Sequence, residues 1–208
     1  MIRILVDSSA DYTMAELKEN GFDFVPFPVT LNDKTYLDTV ELDRNDMYKF
    51  LLQGDHFPKT SQPSPEAFVE IFEDAKAKED EVICILLSSA LSGTYQSAFL
   101  AKSIVDYDKI HLIDTLSATF PIRILAEHAA SLRSKGYSSE EIVAAVETLK
   151  KRTKALAAMD TLEYLYRGGR LSRTSASIGN LVNMKPVLTI AEDGSIDILA
   201  KPIGKNKA

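Results

Sequence analysis

The feature that most constrains this chain is the unbroken apolar run Val82-Ile83-Cys84-Ile85-Leu86-Leu87. It is too short for an ordinary helix and rich in β-branched side chains. Being continuous rather than alternating, it reads as a strand buried on both faces. Such a strand needs elements covering it above and below. Ile2 to Val6 has the same character and ends at Asp7-Ser8-Ser9, and His111-Leu112-Ile113 ends at Asp114-Thr115. Helical patterns separate these runs. Thr13 with Glu16 makes a capping box, and Gly21 suits the position after a helix end. Ser64 before Pro65 starts a helix whose Phe68, Ile71, Phe72 and Ala75 recur at helical spacing. Tyr95 to Val105, a segment through Ile122, Leu125, Ala126 and Ala129, and a helix capped by Ser138 and Glu141 continue the alternation. The pattern predicts an α/β fold with a mainly parallel sheet covered by helices on both faces.

Other segments follow a different grammar. Phe24 to Leu31 reads as one extended stretch, and Pro26 and Pro28 mark it as an edge or irregular strand. Asp43 caps a helix through Met47, Phe50 and Leu51. After about residue 154, Leu156 to Met159 reads as a strand and Asp160 to Arg170 as a short helical piece. Val187 to Ile190 and Ile196 to Leu199 form a β-hairpin with Asp193-Gly194 at its tip. Residues 1–154 are therefore expected to form a parallel α/β domain, and residues 155–208 a second α/β unit with an antiparallel hairpin.

Charge and cysteine usage narrow the function. With 24 basic against 30 acidic residues, the net charge of −6 disfavours a non-specific grip on nucleic acid. The single cysteine, Cys84, lies inside the apolar run, where packing is its simplest role. No apolar stretch has the length of a membrane span, and the amino-terminal segment meets charge too early for a signal peptide. No His, Cys or Asp pair shows metal-ligand spacing. The expectation is a cytoplasmic protein without stable membrane insertion, metal or cofactor.

Ligands of parallel α/β sheets bind at the carboxyl ends of strands. Two hydroxyl-rich loops are expected there, one holding Thr60, Ser61 and Ser64, the other running from Ser88 to Thr94. Hydroxyls and backbone N–H groups at a helix start make a neutral anion receptor. The second loop has no lysine or arginine, which suits one carboxylate better than a polyphosphate. From composition alone, helix caps and turns are the commoner use of these residues.

Three longer segments shift that balance. They are Thr60-Ser61-Gln62-Pro63-Ser64, then Ser89-Ala90-Leu91-Ser92-Gly93-Thr94-Tyr95-Gln96-Ser97-Ala98, then Asp160 to Ser172 with its Arg167-Gly168-Gly169-Arg170 core. With Asp7-Ser8-Ser9-Ala10-Asp11 and Asn183-Met184-Lys185-Pro186-Val187-Leu188 they resemble the DegV family, in the same order from residue 2 to about 205. Members are bacterial two-domain α/β proteins that bind a fatty acid between their domains. The resemblance implies a carrier rather than an enzyme, with a palmitate-like chain whose carboxylate is held by Thr60 and Ser92. Alternation along extended chain would point Ser61 away from that ligand. It further implies that Arg167 and Arg170 meet a fatty acid kinase or a phosphoryl group; the other reading is cations complementing a helix end. The acyl chain is expected among Phe27, Val29, Leu31, Phe120, Ile122 and Leu162. Family members usually continue past this chain's last residues, so residues 155–208 are expected to be a truncated second domain, or one completed by another chain.

Two rivals use the same residues differently. A serine hydrolase would employ Ser92 with His56, His111 or His128, but Ala-Leu-Ser-Gly-Thr lacks the Gly-x-Ser-x-Gly elbow. A protein-interaction or regulatory module is the other, and no recognition-helix signature accompanies it.

Overall fold

The computed structural model describes residues 1–53, 57–171 and 185–202. Four strands, β1 (Ile2–Asp7), β2 (Phe22–Val25), β6 (Glu81–Leu86) and β7 (Ile110–Asp114), form a wholly parallel sheet in the order β2-β1-β6-β7. Helices α1 (Met14–Asn20), α3 (Pro65–Ala77), α4 (Thr94–Val105), α5 (Phe120–Ser134) and α6 (Ser139–Lys150) cover it. Successive strand residues point to opposite faces, so each strand feeds two cores. Ile4, Val6, Ile83, Ile85 and Ile113 pack with Ile122, Leu125 and Ile142 on one face. Leu5, Val82, Cys84, Leu86 and Ile110 pack with Phe68, Phe72 and Ala98 on the other. The continuous apolar runs of the sequence are this double burial.

The expected helix starts are formed. Thr13 and Glu16 close one capping box and Ser138 and Glu141 another, and Gly21 ends α1 in the left-handed conformation at φ 61°. Cys84 is fully buried, and desolvation raises its thiol well above the usual range, in keeping with a packing role.

The stretch Phe24 to Leu31 is not one strand. Its first half belongs to β2 of the parallel sheet; its second is β3 (Pro28–Leu31), which pairs with β4 (Lys34–Leu37) and β5 (Lys59–Thr60) in a separate antiparallel sheet. Pro26 and Phe27 carry the chain between the two. The β3–β4 turn uses Asn32 and Asp33 at φ 46° and 65°, the pair of left-handed residues that a two-residue hairpin turn needs. Helix α2 (Arg44–Leu52) packs Met47 and Phe50 on Val29, Leu31 and Leu42. A third sheet, order β10-β9-β8, joins β8 (Leu156–Ala158), β9 (Val187–Ile190) and β10 (Ile196–Ala200), all antiparallel. With α7 (Glu163–Arg167) it encloses Leu162, Leu171 and Leu188. Among the described residues no helix is long and apolar enough to cross a membrane.

Candidate carboxylate-receptor site

In the parallel sheet the chain leaves β1 toward β2 and leaves β6 toward β7, in opposite directions. The crevice at the carboxyl ends of β1 and β6 is thus the topological switch point, where α/β sheets receive ligands. Asp7 ends β1 there and is fully buried. Its carboxylate accepts from Leu87 N–H at 2.8 Å across the crevice, and from the N–H and hydroxyl of Ser9. Burial pushes its pKa up against those three donors. No cation balances it among the described residues. Asp7 therefore clamps the start of the Ser88–Thr94 loop to the end of β1.

The loop itself is tightly tied. Ser89 N–H donates to Asp114 at 3.1 Å, Ala90 N–H to Ser88 Oγ at 3.2 Å, and Leu91 and Ser92 N–H to Ser88 C=O. These four N–H groups are spent within the fold. What the loop offers outward is the Ser92 hydroxyl and the opening turn of α4. Ser92 Oγ shares a 2.8 Å hydrogen bond with the buried Thr94 Oγ1 and accepts a long one, 3.4 Å, from Thr94 N–H.

Thr60 is exposed at the end of β5, opposite Val29, and the Ser61 N–H extends that pairing to Pro28 C=O at 3.1 Å. Gln62 brings the two hydroxyl loops together. Its amide donates to the buried Ser97 Oγ of α4 at 3.3 Å, and its Oε1 lies so close over Gly93 that a Cβ there would sit 1.7 Å away. Gly93 is bare so that Gln62 can lie on the loop. In the sequence the one signal for this bridging role is the place of Gln62 immediately after two hydroxyl residues.

The arginine segment closes on the same two loops. Arg170 Nε donates to Leu91 C=O at 3.0 Å, one residue before Ser92. Arg167 ends α7, pairs with Glu163 at 3.0 Å, and places its guanidinium 4.5 Å over the ring of Phe57, three residues before Thr60. Phe57 also stacks on Tyr164, centroids 5.7 Å apart. The hairpin tip completes the enclosure. Ser88 Oγ donates to Gly194 C=O at 2.8 Å. Gly194 has φ +83°, and a Cβ would meet Ser88 Oγ at 2.2 Å and Leu116 Cα at 3.1 Å. Both conditions demand glycine.

Other expected participants lie apart. Ile122 is in the main core, with Phe27 packed at its border; Val29 and Leu31 belong to the β3 cluster and Leu162 to the β9 cluster, while Phe120 is 70% exposed. Among the described residues, these six are thus divided between three packing clusters and the surface. His111 sits within β7 opposite Ile83 and His128 within α5, so neither hydrogen-bonds Ser92; His56 lies outside the described residues. Among the described residues, no group of three or more His, Cys, Asp or Glu side chains is placed to hold a metal ion.

The sequence model of the DegV family, described as an uncharacterised protein family, matches residues 1–208. The chain belongs to the DegV family. A DegV domain-containing protein of Caldanaerobacter subterraneus is 41% identical over 207 residues, spanning 100% of this chain and 73% of that relative. A fatty-acid-binding DegV family protein of Thermus thermophilus superposes with a TM-score of 0.87 at 32% identity, over 99% of this chain and 72% of that one. DegV of Bacillus subtilis, a fatty acid binding protein, gives 0.86 at 33% identity over 99% and 73%. A stearic acid-binding protein of Eubacterium ventriosum gives 0.90 at 27% identity over 99% and 72%.

Proposed function

We propose that this DegV protein binds a long-chain fatty acid, palmitate-like in length, whose carboxylate is received by the hydroxyls of Thr60 and Ser92. The observation that carries the reading is the Gln62 bridge, which seats the Thr60 loop on the Ser92 loop at the switch point of the parallel sheet. With Thr94 Oγ1 as donor in its pair with Ser92, the one Ser92 proton is directed to a ligand. The fatty acids bound by the Thermus, Bacillus and Eubacterium relatives support the same ligand class. A buried C16 tail contributes on the order of 10 kcal/mol before ordering costs, at about 0.8 kcal/mol per methylene. The hydroxyls then set orientation and head-group selectivity more than gross affinity.

The protein is read as a carrier rather than an enzyme, presenting its acyl chain to a fatty acid kinase. Arg167 and Arg170 are the proposed contact, being exposed on the segment that borders both loops. Residues 155–208 are read as part of a second domain that closes over the ligand.

Lipid extraction and mass spectrometry of the purified protein test the binding reading. A long-chain fatty acid is expected at up to one per chain, and Thr60→Ala with Ser92→Ala is expected to lower its retention at least about tenfold, two lost charge-assisted hydrogen bonds being worth roughly 1.5–3 kcal/mol each. Unchanged lipid content in the double variant would refute the assignment.

A further inference from the structure

A cleft of about 510 Å³ opens where the parallel sheet meets the β9–β10 hairpin. Neither Thr60 nor Ser92 lines it. Its back wall is apolar: Leu116 after β7, Pro121 and the buried Leu125 of α5, and Ile190 and Ala191 at the end of β9. Its rim carries Lys150, Lys151 and Lys154 from the end of α6 and the chain beyond it. The size is that of a small-molecule site, with an apolar wall behind a polar, charged rim.

The lysines are not equivalent. Lys150 is committed to the fold, donating to Asp114 C=O at 2.9 Å and pairing with Glu147 at 2.6 Å. Lys151 and Lys154 are exposed and have no acidic partner among the described residues. The remaining acid of the rim is Glu192. Two unpaired ammonium groups against one carboxylate leave the cleft positive on a chain whose net charge is −6. The hydroxyls of Thr115, Ser117 and Thr153 also line it, so neutral donors accompany the cations.

We infer that this cleft is a second ligand site, separate from the Thr60–Ser92 receptor, and that it takes an amphipathic anion: a phosphate or carboxylate head held by Lys151 and Lys154, with a short apolar body against Leu116, Leu125 and Ile190. The wall supplies apolar burial and the rim supplies charge, a combination that a free inorganic ion or a neutral alkane would each use only in part. Because its walls come from α5, α6 and β9, occupancy braces the hairpin against the parallel sheet.

Calorimetric titration of the delipidated full chain with dodecyl phosphate, below its micelle concentration, tests the site. Wild type is expected to bind, more weakly as salt is raised, and Lys151→Ala with Lys154→Ala to lose at least about tenfold in affinity. Ala191→Phe, which fills the cleft from its wall, is expected to weaken binding as well. Thr60→Ala with Ser92→Ala is expected to leave the cleft affinity unchanged. Equal affinity in the lysine variant and wild type overturns the inference. So does absence of binding in wild type, or loss confined to the Thr60 and Ser92 variant, which assigns the probe to the other receptor. Retention of fatty acid by the lysine variant keeps this result separate from the carrier reading.

Discussion

Gly93 and Gln62 show how a single missing side chain joins two stretches of sequence. The Gln62 amide occupies the space a Cβ at position 93 would need. Gly93→Ala must therefore displace the tip of a flexible side chain, not backbone. Gly93 is the N-cap of α4, where alanine is disfavoured, so the change itself costs roughly 0.5–1 kcal/mol. Its consequence belongs to the site: Gln62 leaves Ser97, and the Thr60 loop loses its seat on the Ser92 loop. Fatty acid retention is expected to fall several-fold while the melting temperature moves by no more than a few degrees. A variant that binds as well as wild type would show that the bridge is not what aligns the two hydroxyls. The buried Asp7 acts in the same place. Its carboxylate holds Leu87 N–H at 2.8 Å although burial opposes its charge, a cost tolerated where it fixes the loop that carries Ser92.

At the scale of elements, capping boxes carry ionisable groups whose effect on stability has a definite sign. Glu16 accepts from Arg123 at 2.5 Å and from Thr13 N–H at 2.8 Å. The Arg123 guanidinium and then the Thr13 donors hold its carboxyl at about 2, below the ordinary 4.5. A folded-state pKa below the unfolded one means that the unfolded chain binds the proton more readily. The contribution is present above about pH 4.5 and is lost as pH falls toward 2. With the pair about a third exposed, it amounts to less than about 1 kcal/mol. Melting curves of wild type and Glu16→Gln should differ at pH 6 and converge toward pH 2.5; a gap that persists at low pH removes the ion pair as its cause. This box was legible in Thr13 and Glu16, as were the double-faced strands in their apolar runs, because local spacing alone determines both. The β3–β4–β5 sheet was not. Its strands are short and half-exposed, β5 pairs with β3 from far along the sequence, and the β3–β4 turn is Asn-Asp rather than the familiar Asn-Gly, so no local periodicity announced it. Thr60 and Ser92 were legible as hydroxyls at strand ends and through their family motifs. The Gln62 bridge, the Asp7 clamp and the fit of Gly194 against Ser88 depend on contacts between distant segments, which spacing does not encode.

At the scale of the whole molecule, the question is how the parallel sheet and the β10-β9-β8 sheet are held together. They have separate cores, one around Ile83 and Ile85, the other around Leu162 and Leu188. Of the contacts between them, Ser88 Oγ to Gly194 C=O and Arg170 to Leu91 C=O both end on the loop that carries Ser92. Gly194 is the tighter of the two, since its backbone is left-handed and an added Cβ would lie 2.2 Å from Ser88 Oγ and 3.1 Å from Leu116 Cα. Gly194→Val meets the Ser88 hydroxyl first, with Leu116 close behind it, and strain at such a left-handed position costs of order 1–3 kcal/mol. The expected result is selective: hydrogen exchange of the amides of residues 187–200 accelerates, while those of residues 82–86 in the centre of the parallel sheet keep their protection. Because Ser88 also accepts from Ala90 N–H within the loop, fatty acid retention should fall with the docking. Uniform acceleration across both sheets would mean that the molecule opens as one unit, and that the hairpin is part of a common core rather than an element keyed into the site from outside.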